Sequence, residues 1–171
     1  MGMTNYKEKL QNIKSFVFDI DGILTGGDIL ITEEGRMLRT MSAKDSYAIR
    51  RAVEECFIVG IVSAVTDISV MHRLKQMNIS DENVYLATQN KKKAFINFAE
   101  KNALSIDEII YMGDDIPDIE PLQLAGLGTC AQDACEEVKA IAEYVSHKKG
   151  GRGCVRDIIR QTLKIQGKWD I

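Results

Sequence analysis

Twice in this chain an apolar run too short for a helix stops abruptly at acidic residues. The first is Ser15-Phe16-Val17-Phe18-Asp19-Ile20-Asp21-Gly22, and the second is Ile109-Ile110-Tyr111-Met112-Gly113-Asp114-Asp115-Ile116-Pro117-Asp118. Aromatic and β-branched residues in so short a run read as a buried strand. Period-two geometry aims Asp19 and Asp21 toward one side of an extended backbone. In open α/β sheets ligands bind beyond the carboxyl ends of the strands, which is where both acidic clusters stand.

The segments between and around these runs alternate. The sequence predicts an amphipathic lead-in over 3–13, a β-hairpin over about 27–42 with a turn at Glu33-Glu34-Gly35, and a helix over Lys44–Glu55. A second buried strand lies within Cys56–Val65, followed by a helix at 67–78, a strand at 83–87, a helix at 91–102 and a strand at 108–112. A helix at 118–125, a strand near 127–130, a helix over 134–142, a strand at Tyr144–Ser146, a helix at 153–165 and a tail of about 166–171 complete the order. Strands alternating with helices predict an α/β fold, a single Rossmann-like domain with a parallel sheet and helices on both faces. The hairpin is an insertion after the first strand.

Length supports one domain over 1–171, and 45% hydrophobic with 27% charged residues is an ordinary globular composition. A net charge of −3 gives no footprint for nucleic acid. No apolar run approaches the roughly 18 residues of a membrane span, and Met1–Leu10 is too polar for a signal peptide, so no membrane partner and a cytoplasmic location are expected. Cys56, Cys130, Cys135 and Cys154 form no C-x-x-C pair, and neither His72 nor His147 lies in a motif. Buried free thiols and non-histidine chemistry follow.

If the two acid-ended strands are neighbours, several carboxylates converge. A like-charge pair costs on the order of 4 kcal/mol at about 4 Å and an effective dielectric of about 20. Such a cluster calls for a cation, and a donor set made only of oxygens, with room for water and phosphate, suits Mg²⁺. Two other strand ends bring complementary groups: Ser63, a hydroxyl, and Lys91 at the start of Lys91-Lys92-Lys93, an ammonium. Nucleophile, cation, hydroxyl and ammonium together are the parts of phosphoryl transfer to an aspartate.

With these residues in place, Asp19-Ile-Asp-Gly-Ile-Leu-Thr25 resembles the D-x-D-G-x-[LV]-[TS] signature of the haloacid dehalogenase superfamily. Ser63, Lys91 and Gly113-Asp114-Asp115-x-x-Asp118 resemble its later motifs in order. The resemblance implies that Asp19 is the nucleophile and Asp21 the general acid and base. It also implies that Asp19, the Asp21 backbone carbonyl and Asp114 hold Mg²⁺, with Asp115 and Asp118 in support. Lys44-Asp-Ser-Tyr-Ala-Ile-Arg50, Gly150-Gly-Arg-Gly-Cys-Val-Arg-Asp157 and Gln166-Gly-Lys168 are similar to the 3-deoxy-D-manno-octulosonate 8-phosphate phosphatases of lipopolysaccharide synthesis.

That subfamily implies homotetramers in which hairpins pack together and a neighbouring tail covers the active site. It also implies substrate contacts from Asp21, Ser42, Ala43, Lys44, Asp45, Ser46, Arg50, Arg73 and Lys91. The expected absence of a cap domain has support in the sequence itself. Only 23 residues separate Asp21 from Asp45 and 27 separate Ser63 from Lys91, too few for a lid. The apolar hairpin residues Ile29, Leu30, Ile31, Met37, Leu38 and Met41 are the expected interface. Two departures stand out: Ala64-Val65-Thr66 replaces a usual Gly-Arg, and Ser46 a usual glycine. They keep open another sugar acid phosphate, such as a nonulosonate 9-phosphate. A non-catalytic structural member is the reading from another class, and the complete set Asp19, Asp21, Ser63, Lys91 and Asp114 argues against it.

Overall fold

A computed structural model describes residues 5–169. Six strands make one parallel sheet: β1 (Ser15–Phe18), β4 (Ile58–Val62), β5 (Val84–Tyr85), β6 (Ile109–Gly113), β7 (Leu127–Cys130) and β8 (Tyr144–Val145). Their spatial order is β5-β4-β1-β6-β7-β8, so the two acid-ended strands β1 and β6 are neighbours, with Phe18 opposite Met112. β2 (Leu30–Ile31) and β3 (Met37–Leu38) form a separate antiparallel hairpin between β1 and the next helix.

Both faces of the sheet are buried, and strand alternation divides its side chains between two cores. Phe16, Phe18, Ile61, Ile110 and Met112 meet α2 (Ala43–Glu54), α3 (Val70–Gln76) and α7 (Cys154–Ile165) on one side. Val17, Val62, Ile109 and Tyr111 meet α4 (Lys91–Lys101), α5 (Ile119–Leu124) and α6 (Glu136–Ile141) on the other. A short helix, α1 (Tyr6–Lys9), leads into the first strand. No described helix is long and apolar enough to cross a membrane. The expected architecture of a capless α/β domain is present.

Several elements are shorter than the sequence predicts. The lead-in is one turn of α-helix followed by a 3₁₀ turn at Leu10–Asn12, and residues 3 and 4 of that expectation lie outside the described residues. α3 starts at Val70 because Asp67 Oδ1 accepts from the Ser69 N–H and holds 67–69 as a turn. Cys56 adopts a left-handed conformation at the end of α2, so the strand within Cys56–Val65 begins only at Ile58. The Cys56 thiol is exposed and that of Cys135 half-buried, rather than buried as expected. The tail through Trp169 packs on its own domain. Trp169 stands edge-on to Tyr47 at 6.3 Å, and Gln166 Nε2 donates to the Leu10 and Ile13 carbonyls at 2.9 and 2.8 Å. Residues 170 and 171 of that tail lie outside the described residues.

Candidate active site

The backbone leaves β1 at Asp19 and turns sharply. Gly22 has φ +83°, and the Thr25 N–H donates to the Ile20 carbonyl at 2.9 Å. A side chain at Gly22 would be strained and would also collide, since its Cβ would lie 1.9 Å from Asp114 Oδ2. Glycine there is what lets the β1 loop press against the β6 loop. Asp19 and Asp21 do line one cavity of about 230 Å³, but this turn brings them together rather than simple strand alternation.

Asp19 is buried, with 6% of its surface exposed. Its Oδ1 accepts from the Ile20 N–H at 2.6 Å and its Oδ2 from Lys91 Nζ at 2.7 Å. Lys91 opens α4, whose N-terminus is capped by Asn90 Oδ1 on the Lys93 N–H. Its ammonium also donates to Asp118 Oδ1 at 2.7 Å. Burial disfavours the Lys91 charge, yet Asp19 and Asp118 outweigh it and leave the pKa raised. Ser63, from the end of β4, lines the same cavity, and its hydroxyl favours the charged form of Asp19.

Asp118 is fully buried and fully engaged. Tyr111 donates to Oδ1 at 2.6 Å, while the Asp114 and Asp115 N–H groups donate to Oδ2 at 3.1 and 3.3 Å. Its role is to hold Lys91 and the β6 loop in place. Asp115 is exposed and completes a reciprocal cap with Asp118 on the 3₁₀ turn Ile116–Asp118. Asp114 differs from both, because its Oδ1 is buried with no hydrogen-bond partner.

That orphaned oxygen tests the site for a metal. Asp19, Asp114 and Asp118 present carboxylate oxygens within 4.8 Å of one another. Burial, followed by the neighbouring carboxylates Asp19 and Asp118, pushes Asp114 up to about 7. Burial is also the largest cause raising Asp19, with Asp118 next and Lys91 opposing, to about 6. Crowded acidic oxygens held against their ordinary ionisation fit a hard divalent cation. Asp118 has no capacity left, so Asp19 and Asp114 are the carboxylates that fit the ion.

The other expected substrate contacts lie elsewhere in the single chain. Ser42 caps α2, its Oγ accepting from the Lys44 and Asp45 N–H groups at 3.2 and 3.3 Å. Asp45 is buried and caps α7, accepting from the Gly153 and Arg156 N–H groups at 3.0 and 2.8 Å. Arg73 Nη2 donates to the buried Ser46 Oγ at 2.8 Å, and Arg50 Nη1 reaches the Gln76 carbonyl at 3.5 Å. Ala43 and Lys44 are exposed, Lys44 lining a basic cleft with Arg152, Arg156 and Arg160. None of these residues lines the cavity at Asp19.

Sequence reasoning passed over Arg39, which lies just after β3 and pairs with both oxygens of Asp21, Nε to Oδ1 at 2.9 Å and Nη2 to Oδ2 at 3.1 Å. Thr25 adds a hydroxyl bond to Asp21 Oδ1 at 3.2 Å. Tyr111 was hidden as a strand residue. A cation inside the mostly apolar run Met37-Leu38-Arg39-Thr40-Met41 was the available signal for Arg39.

Residues 81–158 match the family model of haloacid dehalogenase-like hydrolases. The 3-deoxy-D-manno-octulosonate 8-phosphate phosphatase of Salmonella typhi is 32% identical over 167 residues, covering 98% of this chain and 88% of that protein. The Escherichia coli K12 protein of the same name is 32% identical over 162 residues, covering 95% and 85%. Among solved structures, the Moraxella catarrhalis phosphatase of that name, in complex with magnesium, phosphate and its sugar acid, has a TM-score of 0.93 at 28% identity. The superposition covers 99% of this chain and 96% of that one. A Legionella pneumophila hydrolase of haloacid dehalogenase subfamily III A also has a TM-score of 0.93, at 30% identity over 97% of this chain and 90% of that one.

Proposed function

Because the chain belongs to the haloacid dehalogenase-like hydrolases, in the family of the 3-deoxy-D-manno-octulosonate 8-phosphate phosphatases, and is a phosphatase, we propose that it hydrolyses 3-deoxy-D-manno-octulosonate 8-phosphate through an aspartyl phosphate on Asp19. The observation that carries this reading is Asp19 at the cavity floor, with Lys91 at 2.7 Å and Asp21 in the same cavity. A phosphoryl group seated there meets a carboxylate nucleophile, an ammonium and the Ser63 hydroxyl.

In the first step an Asp19 carboxylate oxygen bonds to phosphorus as the bond from phosphorus to the ester oxygen breaks. Asp21, in its acid form, gives its proton to the departing sugar oxygen. In the second step Asp21 takes a proton from water as the water oxygen bonds to phosphorus, which frees phosphate and restores the Asp19 carboxylate. Lys91 neutralises charge on the phosphoryl oxygens in both steps, and Ser63 orients one of them. Asp19 and Asp114, with the Asp21 backbone carbonyl, would hold Mg²⁺, which when bound would supply positive charge to offset the phosphoryl oxygens and the crowded carboxylates.

The wider reading follows the same resemblance: one domain over 1–171, a homotetramer, and a place in lipopolysaccharide precursor synthesis. Ala64, Val65 and Thr66 line the cavity where the family usually has Gly-Arg, which favours keeping a nine-carbon sugar acid phosphate as the second substrate reading. The test is phosphate release from octulosonate 8-phosphate and nonulosonate 9-phosphate, each with Mg²⁺ and with EDTA. Mg²⁺-dependent preference for the eight-carbon ester is expected. Preference for the nine-carbon ester moves the substrate and keeps the chemistry, while no release from either ends the proposal.

A further inference from the structure

We propose that Arg39 is a specificity-determining residue that recognises a second anionic group on the substrate, and that engaging it frees the oxygens of Asp21 for the reaction. This builds on the phosphatase reading above and names what selects the substrate at that site.

The Arg39 side chain is largely covered, only 8% exposed. Nε and Nη2 hold both oxygens of Asp21, while Nη1 is buried and has no hydrogen-bond partner. The nearest acidic atom to it, Asp67 Oδ2, stands at 3.7 Å, too far for a hydrogen bond. A buried guanidinium with an unmatched donor is costly to keep, so its fork is incompletely used in this state. A planar fork of this kind matches a carboxylate with two parallel N–H bonds.

Its position connects two spaces. One is the cavity of about 230 Å³ with Asp19, Asp21 and Lys91; the other is a cavity of about 330 Å³ with Met41, Val70 and Arg73. Arg39 lines both. Among the described residues Arg73 hydrogen-bonds only neutral oxygens, Ser46 Oγ and Gln76 Oε1. The second cavity therefore holds two guanidiniums and apolar walls, with Asp67 its one carboxylate. That combination takes an organic acid on a short carbon chain.

With Arg39 on both oxygens of Asp21 and Thr25 on one of them, an ester oxygen in the first cavity finds both oxygens of Asp21 already hydrogen-bonded. An acid group entering the second cavity offers Arg39 a replacement partner and draws it away. Esters of simple alcohols offer none.

The test compares wild type, Arg39→Gln and Arg39→Lys on octulosonate 8-phosphate and on p-nitrophenyl phosphate, reading the ratio of the two kcat/KM values. Arg39→Gln should lower the preference for the acid ester by about tenfold or more, the size expected for losing one charge-assisted contact to a carboxylate, and Arg39→Lys should restore only part. An unchanged ratio overturns the proposal even if both rates fall together, since that is the pattern of an arginine that merely seats Asp21. Independently, calorimetry with the free sugar acid, which carries no phosphate, should show about tenfold weaker binding to Arg39→Gln. Equal affinities, or no binding to wild type, overturn the proposal whatever the turnover. Failure of the phosphatase reading looks different: wild type releases no phosphate from any ester while the binding difference persists.

Discussion

Asp114 Oδ1, buried without a donor, and the raised carboxyls of Asp19 and Asp114 describe a site that ionises only above the ordinary carboxylate range unless a cation occupies it. Both groups have folded pKa values above their unfolded ones, so the metal-free fold binds more protons than the unfolded chain as pH rises. That part of the stability is present below about pH 4 and is lost as pH climbs through about 6 for Asp19 and about 7 for Asp114. Mg²⁺ should therefore stabilise the protein more at high pH than at low. Thermal midpoints with and without Mg²⁺ should separate little near pH 5 and by the equivalent of about 1–3 kcal/mol near pH 8 at saturating ion. Equal separation at both would remove Asp19 and Asp114 from the ion's ligands. Asp19→Asn should lower turnover by more than about a thousandfold while the fold persists, because the amide keeps the shape and loses the nucleophile. Phosphate release and circular dichroism on one sample decide it. These acids and Ser63 were legible because each stands at or just past a strand end, where the topology alone gathers them, and Lys91 because it opens the helix after β5. Asp45 is also buried, but as a cap on α7: a carboxylate can satisfy backbone donors as readily as a ligand, and one sequence does not say which.

Helix ends show a second regularity. α2, α3, α4 and α7 each close with an N–H reaching back to the carbonyl five residues earlier: Phe57 to Ala52, Ile79 to Leu74, Leu104 to Ala99 and Lys168 to Leu163. The residue before each donor is left-handed: Cys56, Asn78, Ala103 and Gly167. Only the last is glycine, the residue this motif favours. Ala103 has φ +52° and is exposed, so replacing it loses no core contact. Ala103→Gly should stabilise the protein by about 0.5–1 kcal/mol, the strain of a side chain in that region less the backbone entropy glycine adds to the unfolded chain. Chemical denaturation reads it, and a destabilised variant would show the Ala103 conformation to be unstrained. The same caps explain why element types were legible and some boundaries were not. Hydrophobic periodicity marks the buried faces of α2 and α4, but a non-glycine left-handed residue leaves no mark, so Cys56 reads as the start of a strand when it is the end of a helix.

For the molecule as a whole, the hairpin stands outside the logic of the two cores. Leu30 and Ile31 are 67% and 66% exposed, and Met37 and Leu38 are 50% and 47% exposed, while every residue of β1 is buried. Leu30 pairs with Leu38 on one face of the ribbon and Ile31 with Met37 on the other, so large apolar side chains are exposed on both of its faces. A ribbon of this size is marginal in water by itself, and large apolar side chains clustered on an exposed ribbon are the usual mark of a surface that another protein covers. Arg39 gives the ribbon a further importance, because the chain leaving β3 runs directly to Asp21. Covering the hairpin would fix the segment that carries this guanidinium, so assembly and substrate selection would share one element. Replacing Leu30 and Ile31 together by glutamate should therefore yield a smaller species in sedimentation velocity. The thermal midpoint of the domain should move little, since neither side chain enters a core. Preference for the acid ester should weaken as the hairpin loses its support. If wild type already sediments at the mass of one chain, the hairpin is no self-association surface. If the variant keeps the wild-type mass, contacts other than β2 hold the assembly, and the apolar ribbon needs a different explanation.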